Sequence, residues 1–521
     1  MTVKTLIKHG EYHDSVSLMA IAQELAHLPG INDAAVVMAT EANKGILQNA
    51  GLLTSQAQAA SPNDLVIAVE GEDSSLNSAL EQVEKLLSKK TESTQTNEHR
   101  PKTLRSAFKA FPQANLAVIS VAGRYAAAEA WDALRLGLHV LLFSDNVSLE
   151  DEIALKQYAS QHGLLLMGPG AGTAILNGVA LGFANVLPRG PVGIVSAAGT
   201  GLQEVSTLLA RQGVGITQGI GTGGRDLKEQ VGGIMMLDGL RALQADPATQ
   251  VILLVSKPPS ASVTEEVLDQ IAQGGKSVVV CFLGADPRLV QVVPNAVPAR
   301  TLQEAAMLVA RLAGGGLVEP AQILADEEAL LKNQAEVLRR KLKREQRWLR
   351  GLYSGGTLCY EAQVIWRGRL HVPVFSNAPL DDANRLSDSN LSHEHCALDL
   401  GEEEFTVGRP HPMINNDLRI RRLLHEAQDP EVAVILFDVV LGYGAHPDPA
   451  GELGTAVVKA QNSAKGSGRE IVFIASVTGT EADPQGFSRQ VQKLVEAGVK
   501  VCSSNSAAAR LAALVVENEG I

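Results

Sequence analysis

Gly193-Ile-Val-Ser-Ala-Ala-Gly199-Thr200 lies near the middle of the chain, and Gly351-Leu-Tyr-Ser-Gly-Gly-Thr357 repeats its pattern downstream. In both, a short apolar run ends at a serine, passes through small residues and opens a helix-like stretch. Two further landmarks follow each copy in the same order. Asp246-Pro247 leads into Val251-Ile-Leu-Leu-Val255, and Asp429-Pro430 leads into Val434-Ile-Leu-Phe-Asp438. Lys276-Ser-Val-Val-Val280 then corresponds to Arg469-Glu-Ile-Val-Phe473. This order implies a duplicated strand–helix unit, residues 189–320 and 351–521, joined by a basic helical linker over 321–350.

Working outward toward the N-terminus, short β-rich runs continue to alternate with helical periodicity. Strands are predicted at Ala34–Ala39, Asp64–Val69, Leu116–Val121, His139–Ser144 and Gly163–Gly168. Helix-like stretches such as Leu76–Lys89 and Ala126–Gly137 separate them. Such alternation predicts a doubly wound parallel sheet over residues 1–188. The polar tract Lys90–Thr103 interrupts it and reads as a mobile loop over about 90–103. The fold class is α/β, with one Rossmann-like domain followed by two flavodoxin-like domains.

Composition agrees. The 521 residues are 45% hydrophobic but only 4% aromatic, with 48 glycines, as expected for buried parallel strands and tight turns. The net charge of −12 and the lack of a basic patch argue against nucleic acid as a partner. The basic cluster Arg339–Arg350 shares its helix with Leu338, Leu342 and Leu349 and reads as a solvated linker. Cys281, Cys359, Cys396 and Cys502 are too far apart in sequence for a disulfide framework or zinc motif, so no metal site is expected. Lys4, Lys8, His9 and Glu11 interrupt any signal peptide. The uncharged stretch Leu164–Pro188 is broken by Gly168-Pro169-Gly170, Gly172 and Asn177, a strand–loop–strand pattern that leaves no membrane span. A cytoplasmic protein is expected.

Candidate site residues cluster at strand ends, where open α/β sheets bind ligands. At Ala198-Gly199-Thr200-Gly201, free N–H groups and the helix dipole suit an anion, with Ser196 and Thr200 as extra donors. A plain tight turn explains the glycines equally well. Ser354-Gly355-Gly356-Thr357 is the equivalent turn in the second copy. In Gly221-Thr-Gly223-Gly224-Arg225-Asp226, the Arg225 guanidinium is suited to grip phosphate or carboxylate. Pro410 and Pro412 place Arg409 and His411 just before a helix. Asp438 ends an apolar strand ahead of His446 and Asp448, and Lys257 ends another. The expected catalytic set is Arg225, Arg409, His411 and Asp438. A small anionic substrate would meet Ser196, Gly199, Thr200, Gly201, Gly223, Gly224, Lys257, Ser354, Gly355, Gly356, Thr357 and His446.

The order of these segments resembles succinyl-CoA synthetase, of the ADP-forming acyl-CoA synthetase superfamily. Asn115–Thr173 looks like the second half of its α-subunit CoA-binding domain, and the unit from Gly190 like its α ligase domain. Leu398-Asp399-Leu400-Gly401 and the strand into Gly442 and Gly444 resemble the β-subunit ligase domain. Within the superfamily the chain is similar to FdrA-type proteins. The segments that carry this are Asp14-Ser-Val-Ser-Leu-Met19, Met38-Ala-Thr-Glu-Ala-Asn-Lys44-Gly45, Phe143-Ser-Asp-Asn-Val147, Gly221-Thr-Gly-Gly-Arg-Asp-Leu227, Val255-Ser-Lys-Pro-Pro259 and Gly408-Arg-Pro-His-Pro-Met-Ile414.

The resemblance implies a CoA-binding-type first domain, with Asp14, Ser15, Asn43, Ser144, Asn146, Gly168 and Pro169 as cofactor-binding positions. It also implies a subunit of a multi-subunit carbamoyltransferase that exchanges a carbamoyl group between oxamate and phosphate in allantoin (purine) degradation. Companion subunits and a carbamate kinase would be encoded nearby, and the protein would be oligomeric. The alternative is the CoA-binding subunit of an acyl-CoA ligase whose ATP-grasp part acts in trans. A third reading is a scaffold or ligand sensor that has lost the chemistry. Two absences weigh on these readings. No histidine occurs between His162 and His371, so the phosphohistidine relay of succinyl-CoA synthetase is missing, and there is no room for an ATP-grasp domain. FdrA-type proteins usually carry Gly-Pro-Asp-Cys-Gly-Thr where this chain has Gly168-Pro169-Gly170-Ala171-Gly172-Thr173.

Overall fold

A computed structural model describes residues 2–11, 15–26, 28–92, 101–314, 319–406 and 409–517. The chain divides into two units, Met1–Arg100 with Glu403–His411, and Pro101–Glu402 with Pro412–Ile521.

In the first unit, strands β1 (Thr2–Lys8), β2 (Ile31–Met38) and β3 (Leu65–Gly71) form a sheet in the order β1-β3-β2. Helices Ser15–Ala26 and Asp73–Glu92 cover one face through Leu18, Leu25, Ile67 and Val83. Two short helices, Glu41–Asn49 and Ser55–Ala59, cover the other through Leu47, Ala57, Val66 and Ala68. Both strand pairings are antiparallel. This corrects the expectation of a parallel sheet running on from residue 34 to 168. Apolar runs specify strands but not their direction, and β1 went unread because Lys4 and Lys8 mask an edge strand. Of the loop expected at about 90–103, residues 93–100 lie outside the described residues. Glu92 ends a helix, and Thr103 caps helix Leu104–Ala110 in a capping box with Ser106.

The second unit holds three sheets. Strands β4 (Leu116–Ile119), β5 (His139–Leu142) and β6 (Leu166–Met167) are parallel, with helices Gly123–Arg135 and Leu149–Gln161 between them. Next come β7 (Thr173–Leu176), β8 (Val179–Gly182), β9 (Arg189–Ser196), β10 (Ile216–Gly221), β11 (Val251–Ser256), β12 (Ser277–Phe282) and β13 (Ala296–Pro298). They form one sheet in the order β13-β12-β11-β9-β10-β7-β8. The β7–β8 hairpin therefore joins this second sheet, not the first domain in which it was expected. After helix Pro320–Arg339 come β14 (Trp348–Tyr353), β15 (Phe375–Ser376), β16 (Cys396–Asp399), β17 (Val432–Val440), β18 (Val472–Thr478) and β19 (Lys500–Cys502). Their order is β15-β16-β14-β17-β18-β19, all parallel. The run β13-β12-β11-β9-β10 thus matches β19-β18-β17-β14-β16, which is the duplication read from the repeated landmarks. Every residue of β17 is buried, as a central strand covered on both faces requires.

The two copies face each other through their first helices, Gly199–Arg211 and Gly356–Leu370. A Cβ on Gly355 would lie 2.6 Å from Thr200 Cγ2, and one on Gly201 would lie 3.0 Å from Thr357 Cγ2. Each threonine therefore presses on the other turn's glycine. One helical turn further along, the exchange is repeated with charge. Glu204 accepts from the N–H of Asn505, the first residue of helix Asn505–Val516 in the second copy, at 2.9 Å. Glu361 accepts from the N–H of Leu302, the first residue of helix Leu302–Leu312 in the first copy, at 2.7 Å. Each copy thus caps the last helix of the other, satisfying an N–H that would otherwise be orphaned. Asn505 Nδ2 also donates to Glu361 at 2.8 Å, so the two buried carboxyls share one residue. Burial, with Glu204 adding to it, pushes the Glu361 carboxyl up to about 7.

Its protonated form is therefore favoured in the folded state. The stability tied to it is full below the ordinary glutamate pKa of about 4.5 and is lost as pH rises toward 7. The thermal midpoint should fall across that window and level off above it. Glu361→Gln should show a smaller fall, which scanning fluorimetry at stepped pH measures.

Candidate functional site

Thr200 and Thr357 stand at the carboxyl ends of β9 and β14, each in the first turn of a helix that no side chain caps. Both residues are more than nine-tenths buried. Neither hydroxyl has a hydrogen bond among the described residues. Helix starts of this kind present N–H groups and positive dipole ends to an anion. Gly199 faces the Thr173 hydroxyl, which lies 3.6 Å from where its Cβ would be. The site is thus bounded by the turns after β9 and β14.

Ser196 does not reach out. Its hydroxyl donates to Ala198 O at 2.8 Å and accepts from Ala198 N at 3.1 Å, closing the turn. Gly223, at φ +88°, lets the backbone pack on Pro169 O, 2.7 Å from its would-be Cβ. Gly224 borders Ala197 O. Gly168, before the cis peptide to Pro169, lies against Leu142 O. Lys257 is exposed and stands 5.3 Å from the centroid of the Tyr360 ring.

Asp399 was quoted in the sequence only as part of a match, yet it borders this site. At the end of β16 it is 3% exposed. Its backbone is clamped by Asn377, which accepts from Asp399 N at 2.9 Å and donates to Asp399 O at 3.0 Å. Oδ1 accepts from Gly401 N at 3.0 Å. Oδ2 lies on Gly356, the first residue of the helix, 2.3 Å from where a Cβ would be. Burial, with Glu402 and Asp438 nearby, pushes this carboxyl up to about 7, against the opposing pull of Lys257.

The expected catalytic set is corrected. Asp438 is fully buried and spends its oxygens internally. It accepts from Ser354 N at 2.8 Å, Ser354 Oγ at 3.0 Å, Gly355 N at 3.0 Å and Arg419 at 2.9 Å. The donors of Ser354 and Gly355 are therefore occupied by a carboxylate of the chain itself. Arg225 pairs with Glu152 at 2.7 Å and donates to Val147 O at 2.8 Å. It belongs to a buried network in which Lys156 contacts Glu152 and Asp226 at 2.8 Å each and Thr222 O at 3.0 Å. That network binds helix Leu149–Gln161 to the loop after β10, and the sequence reading missed it because its members are up to 74 positions apart, from Glu152 to Asp226. His446 pairs with Glu452 at 3.3 Å and accepts from Asp448 N at 3.1 Å, a local brace. Arg409 and His411 group with the first unit. Burial holds the Cys281 and Cys359 thiols well above their usual range, which makes them poor nucleophiles.

Of the expected cofactor positions, Asp14 lies outside the described residues and Ser15 opens a helix of the first unit. Asn43 donates to Met38 O at 2.7 Å. Ser144 Oγ accepts from Val121 N at 2.9 Å and donates to Val121 O at 2.6 Å, so it ties two strand ends together. Asn146 is exposed, with φ 54°. Beside it, Gly123 opens an uncapped helix, Arg124 is exposed 4.8 Å from the Tyr125 ring centroid, and Tyr125 is 57% exposed. Helix start, guanidinium and ring fit a phosphate-bearing ligand with a planar base, such as CoA.

Two copies of a ligase-type sheet facing each other at their helix starts define a class. The chain belongs to the ADP-forming acyl-CoA synthetase superfamily, and profiles for a CoA binding domain and a CoA-ligase domain match residues 189–284 and 352–515. Within it, the chain belongs to the FdrA-type family. The uncharacterized protein YahF of Escherichia coli K12 is 46% identical over 97% of both chains, and a profile described as AllF, heavy metal-associated domain, matches residues 1–103. The succinate–CoA ligase α subunit of Methanothermobacter thermautotrophicus is 26% identical over 33% of this chain and 58% of its own. The acetyl-CoA synthetase 1 of Ca. Korarchaeum cryptofilum aligns with 77% of this chain and 83% of its own at 14% identity and TM-score 0.32, too loose a match to bear on function.

The CoA binding profile falls on the sheet of β9–β12, which the sequence reading assigned to a ligase-type domain. The description of the N-terminal profile raises a metal, but the donors present do not fit a thiophilic one. Residues 1–103 contain no cysteine. Among the described residues, no group of three His, Cys, Asp or Glu is placed to hold an ion. Asp64, 3.2 Å from His9, spends its oxygens on Gly10 N and Ser61 N. No helix among the described residues is long and apolar enough to cross a membrane.

Lys156→Met should cost about 3–5 kcal/mol in urea unfolding, since it leaves Glu152 and Asp226 buried beside one another. Arg225→Ala, at the rim of the same network, should cost less.

Proposed function

We propose that this chain is a subunit of a cytoplasmic multi-subunit carbamoyltransferase, exchanging a carbamoyl group between an oxamate-type amide and phosphate. The observation that carries the reading is the pair of helix starts without a side-chain cap, each with a buried threonine in its first turn that presses on the other turn's glycine. Phosphate, carbamoyl phosphate and oxamate are small anions. Transfer passes through a tetrahedral oxyanion, which preorganised N–H and hydroxyl donors stabilise without reorganising. Such chemistry needs no phosphohistidine, consistent with the absence of histidine between His162 and His371. The AllF profile over residues 1–103 supports the same reading. Companion subunits would complete an oligomer linked to carbamate kinase.

A second reading is favoured by the exposed Arg124–Tyr125 pair at the Gly123 helix start and by the CoA profiles. In it the chain is the CoA-binding subunit of an acyl-CoA ligase whose ATP-grasp part is supplied in trans. CoA bound there would supply the thiol acceptor.

Gentle affinity purification from the native host separates the two. The first predicts that the complex forms carbamoyl phosphate from a carbamoylated oxamate and phosphate without ATP. ATP-dependent thioester formation, with an ATP-grasp subunit in the complex, would sink it. Replacing Thr200 and Thr357 by valine should lower turnover on the order of a hundredfold while leaving the thermal midpoint close to wild type.

A further inference from the structure

We propose that Asp399 is the proton relay of this site, its free Oδ2 facing an anion held by the two helix starts. The inference rests on the carbamoyl-transfer reading above and deepens it. Gly355 touches Thr200, and the next residue, Gly356, touches Asp399 Oδ2. The carboxyl therefore stands next to the seam where both helix starts meet. It is held there from behind, by the Asn377 clamp and by Gly401 N on Oδ1, so Oδ2 is aimed and not mobile.

Its surroundings keep the proton available. The carboxyl faces Glu402 on its own loop, Lys257 after β11, Asp438 on β17 and Cys359 on helix Gly356–Leu370. Asp438 is offset by its pair with Arg419, leaving Lys257 as the cation whose pull acts on Asp399. A carboxyl raised to about 7 is half protonated near neutral pH, where donor and acceptor roles are both open to it.

The step balances. A phosphate oxygen attacks the carbamoyl carbon, and the bond from that carbon to the oxamate nitrogen breaks. Asp399 gives its proton to the departing nitrogen, and the hydroxyl proton of the attacking monohydrogen phosphate restores the acid. The products are carbamoyl phosphate and the free amide, with no oxidant or further reactant. In the ionised state, Asp399 would repel the incoming anion across the first turn of the helix.

Inorganic sulfate is the probe, because its charge does not change over the range tested. Calorimetric titration of the full chain should show affinity falling about tenfold between about pH 6 and about pH 8.5, with the midpoint near 7. Asp399→Asn should bind sulfate at the higher pH as tightly as wild type does at the lower. Wild-type affinity that is flat with pH, a parallel decline in Asp399→Asn, or no sulfate binding at about pH 6 would each overturn the proposal. If sulfate behaves as expected but the purified complex forms no carbamoyl phosphate, Asp399 still gates an anion site, and the transfer reading fails together with the proton step written on it.

Discussion

The reciprocal capping of helices by Glu204 and Glu361 is the constraint on which the rest of the large unit depends. Each glutamate crosses from one copy of the duplicated sheet to the N-terminus of the other copy's last helix. Because each lies one turn beyond a threonine, fixing the glutamates also fixes where Thr200 and Thr357 meet. The glycines opposite them admit that approach, and a single methyl at Gly355 would already overlap Thr200. Two carboxyls buried on one asparagine are a costly way to hold a seam, since burial outweighs the pull of Arg510 on Glu361. The geometry they enforce is what brings two ordinary helix starts side by side.

Around that place, charge is spent with economy. Asp438 and Arg419 brace the turn at Ser354; Lys156, Glu152, Asp226 and Arg225 brace the turn at Gly223. These residues look functional in a list because strand ends collect polar side chains, but their charges are spent on one another. Among the described residues, the hydroxyls of Thr200 and Thr357 and Oδ2 of Asp399 carry no hydrogen bond.

Much of the architecture was legible in the residues. The repeated apolar run, small-residue turn and helix at Gly193 and Gly351 announced the duplication, and the matching strand orders follow from it. Strand direction was not legible, so β2 and β3 were placed in a parallel sheet, and β1 was hidden by Lys4 and Lys8. For the site, the turns were found because backbone conformation dictates glycine locally. The role of Asp438 was misjudged because its partner Arg419 lies 19 positions earlier, on another element. Asp399 escaped notice because its character comes first from burial, which no local pattern announces, and its clamp Asn377 lies 22 positions earlier, just past β15. Only a rule linking every strand-end acid to the glycine of its neighbouring turn would have raised it.

The linker helix Pro320–Arg339 has a consequence for how the assembly responds to concentration. In a two-chain arrangement, the halves of such a seam obey mass action and separate on dilution. Here the tether makes their meeting intramolecular, at an effective concentration set by the span of one helix. The pair is always present in equal amounts and survives at protein levels where separate subunits would drift apart. Dosage control, which two genes would have to coordinate, is settled by a peptide bond.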